Sequence, residues 1–169
     1  MGQFQSSVSL VINPGFQGDV VNQQVAKYNG AVAGDNVTVG NFVWVDSASG
    51  QLVNDPLQEL GGFVVRNNAT AYPAQDTFNG ASLQVAKNTQ CEYLVGGEIM
   101  VSYTNADATK GVTRGSAVYI SKIAGSIGQV FFNVADKDVA GYTKLEFKVT
   151  RIYDNGLVAI SNTYVRTSI

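Results

Sequence analysis

Chemistry needs side chains that carry a proton, a metal or an electron pair, and this 169-residue chain is short of them. It has no histidine and a single cysteine, Cys91. That excludes Ser-His-Asp and Cys-His triads, imidazole zinc sites and histidine pH switches. An intrachain disulfide is excluded as well. Cys91 lies in an apolar stretch, where a small core residue is the natural reading. A glycosidase needs only two carboxylates, and 13 acidic residues are present. Yet Asp19, Asp35, Asp55, Asp107 and Asp154 sit beside Gly, Asn or Pro or in polar loop sequence, where aspartate bonds its own local backbone. Asp136-Lys137-Asp138 is the one close acidic pair, and the lysine between its members points to a solvated loop. No P-loop, dinucleotide fingerprint, calcium loop, nucleophile elbow or Cys-x-x-Cys pair occurs. The residues therefore assign no catalytic group, no metal and no cofactor, and the chain reads as a non-enzyme.

Aromatic side chains are the remaining candidates. Trp44, with Tyr28, Tyr72, Tyr93, Tyr103, Tyr119, Tyr142, Tyr153 and Tyr164, has the makings of a stacking platform for sugars. Single-stranded nucleic acid is disfavoured, because these rings are not interleaved with cations. The balance of 11 basic and 13 acidic residues gives a net charge of −2, without the excess that attracts nucleic acid or anionic lipid. No apolar run approaches a membrane span, and no basic segment precedes the first cation, Lys27, as a secretory signal requires. Met1-Gly2 with Ser6 fits the short myristoylation pattern, which often arises by chance. Without a secretory route, the sequons at Asn36 and Asn68 read as turn and strand chemistry. Total charge is the unusual quantity: 14% of residues are charged, against about 25% in an ordinary globular protein. Either the surface is polar through Asn, Gln, Ser and Thr, or much of it is covered in the working state.

The elements that must position these groups are strands. Valine outnumbers leucine about three to one and glycine is plentiful, a bias that suits pleated surfaces because β-branched side chains are stiff at χ1. The length fits one domain. The expected architecture is all-β, an antiparallel β-sandwich or distorted β-barrel of short strands with an extended N-terminal arm. Lys144 to Tyr153 and Leu157 to Arg166 flank Asp154-Asn155-Gly156, predicting a hairpin with a type I′ turn. Leu145, Phe147 and Val149 share one face of that hairpin. A second hairpin is predicted from Cys91 to Tyr103 around Gly96-Gly97.

Gly40-Asn41-Phe42-Val43-Trp44-Val45 returns as Gly115-Ser116-Ala117-Val118-Tyr119-Ile120. Each copy leads to Gly-Gln-aliphatic, at Gly50-Gln51-Leu52 and Gly128-Gln129-Val130. This weak repeat, about 34–53 and 112–132, predicts duplicated hairpins whose central aromatic opposes its aliphatic neighbours. The organisation expected is an arm over 1–30 and a single all-β body over 31–169. The arm is rich in Gln, Asn and Ser and poor in charge, with Phe4, Val8, Leu10 and Phe16 as its candidate contact residues.

In order along the chain, Asn13-Pro14-Gly15-Phe16-Gln17-Gly18-Asp19, the strand from Gly40 to Asp46, Gly61-Gly62-Phe63-Val64-Val65-Arg66, the strand from Gly97 to Val101, Val112 to Ile120, and Gly156-Leu157-Val158-Ala159-Ile160 carry a pattern. It resembles the tailed-phage structural cement (capsid decoration) proteins over residues 13 to 160, while Asn67 to Gln90 matches loosely. The resemblance implies a non-enzymatic virion protein on the capsid surface, made in the host bacterial cytoplasm. It also implies that major capsid protein is the partner, that neighbouring capsid subunits are bridged, and that the chain pairs with itself as a homotrimer. Two other readings compete: another all-β virion part (tail, baseplate or fibre domain), and a carbohydrate-binding β-sandwich module built on Trp44.

Overall fold

A computed structural model of the chain describes residues 15–21, 23–66 and 84–163. Twelve strands and one 3-10 helix, Asp136–Gly141, make up the regular structure among them, as the valine-rich composition predicts. The first body consists of β1 (Lys27–Val32), β3 (Phe42–Val45), β4 (Leu52–Val53), β5 (Glu59–Val64) and β7 (Gln90–Gly96), paired in the order β1-β7-β5-β3-β4. β2 (Val37–Thr38) and β6 (Gln84–Val85) form a two-stranded ribbon. The second body is a closed barrel of β8 (Glu98–Asn105), β9 (Ala117–Ser121), β10 (Val130–Phe132), β11 (Tyr142–Ile152) and β12 (Leu157–Ser161), in the ring order β10-β8-β12-β11-β9. Its pairs are antiparallel except β8 with β10, which run parallel. The all-β expectation holds, in the form of a closed barrel with a sheet against it.

The inner strand β3 is covered on both faces and reads as a continuous apolar run, Phe42-Val43-Trp44-Val45, whereas the edge strand β1 is largely exposed. One face sends Phe42, Trp44, Phe63 and Leu94 into a core shared with Ile99, Val118, Phe132, Phe147 and Ile160 of the barrel. The other face places Val43, Val64, Leu52, Cys91 and Tyr93 in a second cluster with Ala33, Val37 and Val85. A chain of edge-to-face rings crosses from sheet to barrel: Trp44 on Phe42 at 5.3 Å, Phe42 on Phe63 at 5.3 Å, and Phe63 on Phe147 at 5.2 Å. Each such pair adds about 0.5–1.5 kcal/mol beyond its buried area.

The repeat copies are both antiparallel hairpins, β3 with β4 and β9 with β10. The matched glycines of the two copies, Gly40 with Gly115 and Gly50 with Gly128, all have positive φ. Aromatic and aliphatic residues do oppose one another, but with reversed polarity. Trp44 points into the shared core while Val43 joins the second cluster. In the other copy Val118 and Ile120 fill the core and Tyr119 looks outward.

The C-terminal hairpin forms as expected, with Leu145, Phe147 and Val149 buried and Glu146 exposed. Its turn differs from the prediction. Gly156 has φ +79° but Asn155 keeps a negative φ, so the turn is not type I′. Instead the Gly156 N–H donates to Tyr153 O at 3.3 Å, and Asn155 Oδ1 accepts the Leu157 N–H at 3.2 Å. That side-chain bond holds Asn155 without left-handed backbone. The hairpin expected from Cys91 to Tyr103 does not form. β7 and β8 follow one another in sequence, but β7 pairs with β1 and β5 whereas β8 pairs with β12 and β10. Gly97 is the corner between the two bodies, its N–H bonded to Asn162 Oδ1 at 2.9 Å.

Candidate contact surface

The segment read as an arm is described from residue 15, without residue 22; Phe4, Val8 and Leu10 lie outside the described residues. Residues 18–21 run antiparallel along the first residues of β8 as a short added edge. The Gly18 N–H donates to Met100 O at 2.8 Å, the Met100 N–H to Asp19 O at 2.9 Å, and the Val21 N–H to Glu98 O at 2.9 Å. On the other side Gly18 O accepts the Arg66 N–H at 2.9 Å. The segment thus ties the end of the sheet to the barrel, and β1 begins at Lys27.

Phe16 stands where the chain leaves toward residue 14. Its ring is half exposed, at 50%, with the Arg66 guanidinium 4.3 Å above its centre. The Phe16 N–H donates to an Asp19 carboxylate oxygen at 2.8 Å, and Asp19 lies 3.9 Å from Arg66. The carboxylate offsets much of the guanidinium charge, leaving an aromatic and nearly neutral patch. A cation over an exposed ring is worth about 0.5–1 kcal/mol, which favours this orientation of the ring. Of the four candidate contact residues, Phe16 is the one that falls among the described residues.

Several aspartates serve local turns. Asp46 accepts the Ala48 and Ser49 backbone N–H groups at 3.3 and 3.1 Å and the Ser49 hydroxyl. Led by that hydroxyl, these bonds hold its carboxyl below the usual range. Asp107 does the same with the Thr109 hydroxyl and N–H at 2.6 and 3.1 Å and the Lys110 ammonium at 3.2 Å; its carboxyl is likewise held low, the Thr109 hydroxyl leading. Asp55 accepts the Leu57 N–H at 3.0 Å. Asp136 and Asp138 stand exposed on the 3-10 helix. No group of three or more metal-ligating side chains is found among the described residues. Trp44 is 1% exposed, so it is not placed to stack on a sugar.

Cys91 is buried in the second cluster. Burial, helped by the neighbouring Glu92, pushes its thiol from 9.0 up to about 11, where nucleophilic thiolate is scarce at neutral pH. Because the folded value lies above the unfolded one, the neutral thiol favours the fold below pH 9, and that contribution is lost as pH rises toward 11. Urea unfolding midpoints are expected to fall across this window. They should fall less steeply in Cys91→Val, where Tyr28, also raised by burial and by Glu92, still contributes. An identical decline in both proteins would contradict the assignment.

Two residues that the sequence reading passed over are the most exposed large apolar side chains described, Leu57 at 91% and Leu60 at 61%. Leu57 sits in the turn that leads into β5 and Leu60 is the second residue of β5, beside Trp44 in register. Their signal in the sequence is Asp55-Pro56-Leu57 followed by Glu59-Leu60, a polar turn that nevertheless carries two leucines.

A family model described as "Structural cement protein (E217 gp24/Pam3 gp6)" matches residues 4–163. Among solved structures, a chain from "The capsid of Myoviridae Phage XM1" has the same fold, with a TM-score of 0.62 at 13% identity, over 94% of this chain and 98% of that one. No curated protein gives a match.

Proposed function

Because the chain belongs to the phage structural cement proteins, and so is a structural protein of the virion, we propose that it binds the outer face of the assembled capsid as a homotrimer. There it bridges neighbouring major capsid subunits without catalysing any reaction. The observation that carries this reading is the family match across nearly the whole chain. Sparse charge supports it, because charged residues are depleted from interface cores. The turn-bonded aspartates, the buried Cys91 thiol and the sealed Trp44 support adhesion over chemistry. The chain is made in the host cytoplasm, needs neither nucleic acid nor membrane, and makes its capsid contacts through the N-terminal segment, with Phe4, Val8, Leu10 and Phe16 as anchors.

The mechanism is mass action. A ligand that binds the assembled lattice and not its parts stabilises the lattice by RT ln(1 + [L]/Kd), about 2.7 kcal/mol per site at a hundredfold excess. Three modest contacts on one rigid body become intramolecular after the first, which multiplies affinity without any new bond. The test is to add purified protein to phage heads that lack it and follow DNA release on heating. Release is expected at a higher temperature, saturating with protein concentration. Heads that rupture at the same temperature with and without it would contradict the reading.

A further inference from the structure

Phe131 is the outward residue of β10, between the buried Val130 and Phe132. Its ring packs on Tyr142, 5.2 Å away between centroids. Both rings, together with the half-exposed Ile123, line an open cleft of about 680 Å³ on the outer wall of the barrel, a volume in the range of small-molecule sites, roughly 300–1,000 Å³. The polar groups of the lining are Asp107, Asp138 and Asn133, the remainder is alanine, valine and glycine, and no lysine or arginine lines the cleft among the described residues. Asp107 already has its charge met by the Lys110 ammonium at 3.2 Å. Asn133 spends its amide N–H groups on Asn105 Oδ1 at 2.9 Å and Lys110 O at 3.2 Å, which leaves its carbonyl oxygen as an acceptor. The cleft therefore sets acceptor oxygens beside an aromatic and aliphatic floor.

We propose that this cleft binds a neutral saccharide, whose hydroxyls donate to Asp107, Asp138 and Asn133 while its C–H groups rest on Tyr142 and Phe131. Other ligand classes fit the lining less well. A phosphate or nucleotide would face carboxylates with no cation to meet it. A cation would find Asp107 already paired and only Asp138 open, and one exposed carboxylate in water contributes little. A wholly apolar ligand would bury the carboxylates without giving them partners. A sugar ring carries what the cleft lacks, hydroxyl donors around its edge, and aliphatic C–H groups to set against the rings. Tyr142 is one of the rings that the sequence offers as a sugar platform, whereas Trp44, first among them, is sealed in the core. The cleft lies past the Asn105 end of β8, opposite to the Glu98 end that residues 18–21 bond, and the inference does not rest on the cement reading.

The test titrates the isotope-labelled full-length protein with maltose, cellobiose, lactose and N,N′-diacetylchitobiose and follows its amide resonances by NMR, with circular dichroism to verify folding. At least one of these sugars is expected to shift the amides of Ala108, Phe131 and Tyr142 in a saturable way. Tyr142→Ala removes a ring from the floor, and Ala108→Trp fills the cleft from an exposed position. Each is expected to raise the dissociation constant about tenfold or more. Leu57→Ser, on the sheet, is expected to bind as the wild type does. Should Tyr142→Ala fail to fold, Ala108→Trp carries the comparison. Cleft amides unmoved by all four sugars would overturn the proposal, as would equal affinity in Ala108→Trp and the wild type. Shifts caused by L-argininamide alone would overturn it too, marking a cation site. Decoration of heads is scored separately. A chain that binds sugar but ignores heads contradicts the cement reading and leaves this site standing, whereas one that decorates heads and ignores every sugar does the reverse.

Discussion

Heads mixed with a chain that lacks residues 1–14 are expected to stay largely bare, with apparent affinity reduced about a hundredfold or more, while the truncated protein keeps its circular dichroism spectrum and urea midpoint. The argument joins sequence to fold. Phe4, Val8 and Leu10 belong to a stretch with no charged side chain before Asp19, a composition suited to lying against another protein. In the proposed homotrimer three arms act together, so removing them forfeits avidity as well as contact. The cut must stop at Pro14. Gly18 is bonded through its backbone to Met100 on one side and Arg66 on the other, so a deletion reaching it would remove part of the body and confuse stability with binding. Phe16→Ala, which leaves the body intact, is expected to have the same sign and a smaller size. Undiminished decoration by the truncated chain would place the capsid contacts elsewhere.

Gly128→Ala is expected to cost about 3 kcal/mol or more of a total stability of about 5–15 kcal/mol. Gly128 has φ +78°, a region where an L-residue costs about 1–2 kcal/mol. Beyond that, an added Cβ would lie 2.3 Å from Phe42 O, closer than atoms approach without moving backbone. The place is critical because Gly128 O accepts the Phe42 N–H at 2.8 Å, joining the sheet to the barrel beside the Phe42–Trp44–Phe63 rings. The repeat supplies its own control. Gly50 holds the equivalent position, with φ +70° and open space where a Cβ would stand, so Gly50→Ala is expected to cost only the backbone part, about 1–2 kcal/mol. Urea melts of the two variants read the difference directly. Equal losses would mean that the contact with Phe42 is not what demands glycine.

Much of the body could be read in the sequence because strand patterning is local. The alternation in Leu145-Glu146-Phe147-Lys148-Val149 announced both the strand and its buried face. The aromatic-aliphatic opposition in Phe42 to Val45 announced a strand with two environments. What sequence could not give was which strands pair. Cys91 to Tyr103 looked like a hairpin because two apolar runs flank Gly96-Gly97. A glycine pair also permits a corner, and only the competition among β1, β5, β10 and β12 for partners decides between them. The turn at Asp154 to Gly156 shows the same limit at smaller scale, since Asn155 has two ways to satisfy its neighbours and the side-chain bond to Leu157 prevailed. Among the candidate contact residues, Phe16 is proposed from its place in a charge-poor segment, but its hold on Arg66 was not legible, because residues fifty apart meet there. Leu57 and Leu60 were passed over because leucines in a β-rich chain read as core, and exposure is a property of the fold.

The most direct measurement is to image phage heads incubated with the purified chain. The expected result is added density on the outer surface, in threes over the junctions between major capsid subunits, with the barrel and its attached sheet recognisable in each copy. Density confined to the tail, or heads left unchanged at saturating protein, would contradict a role in holding the shell together.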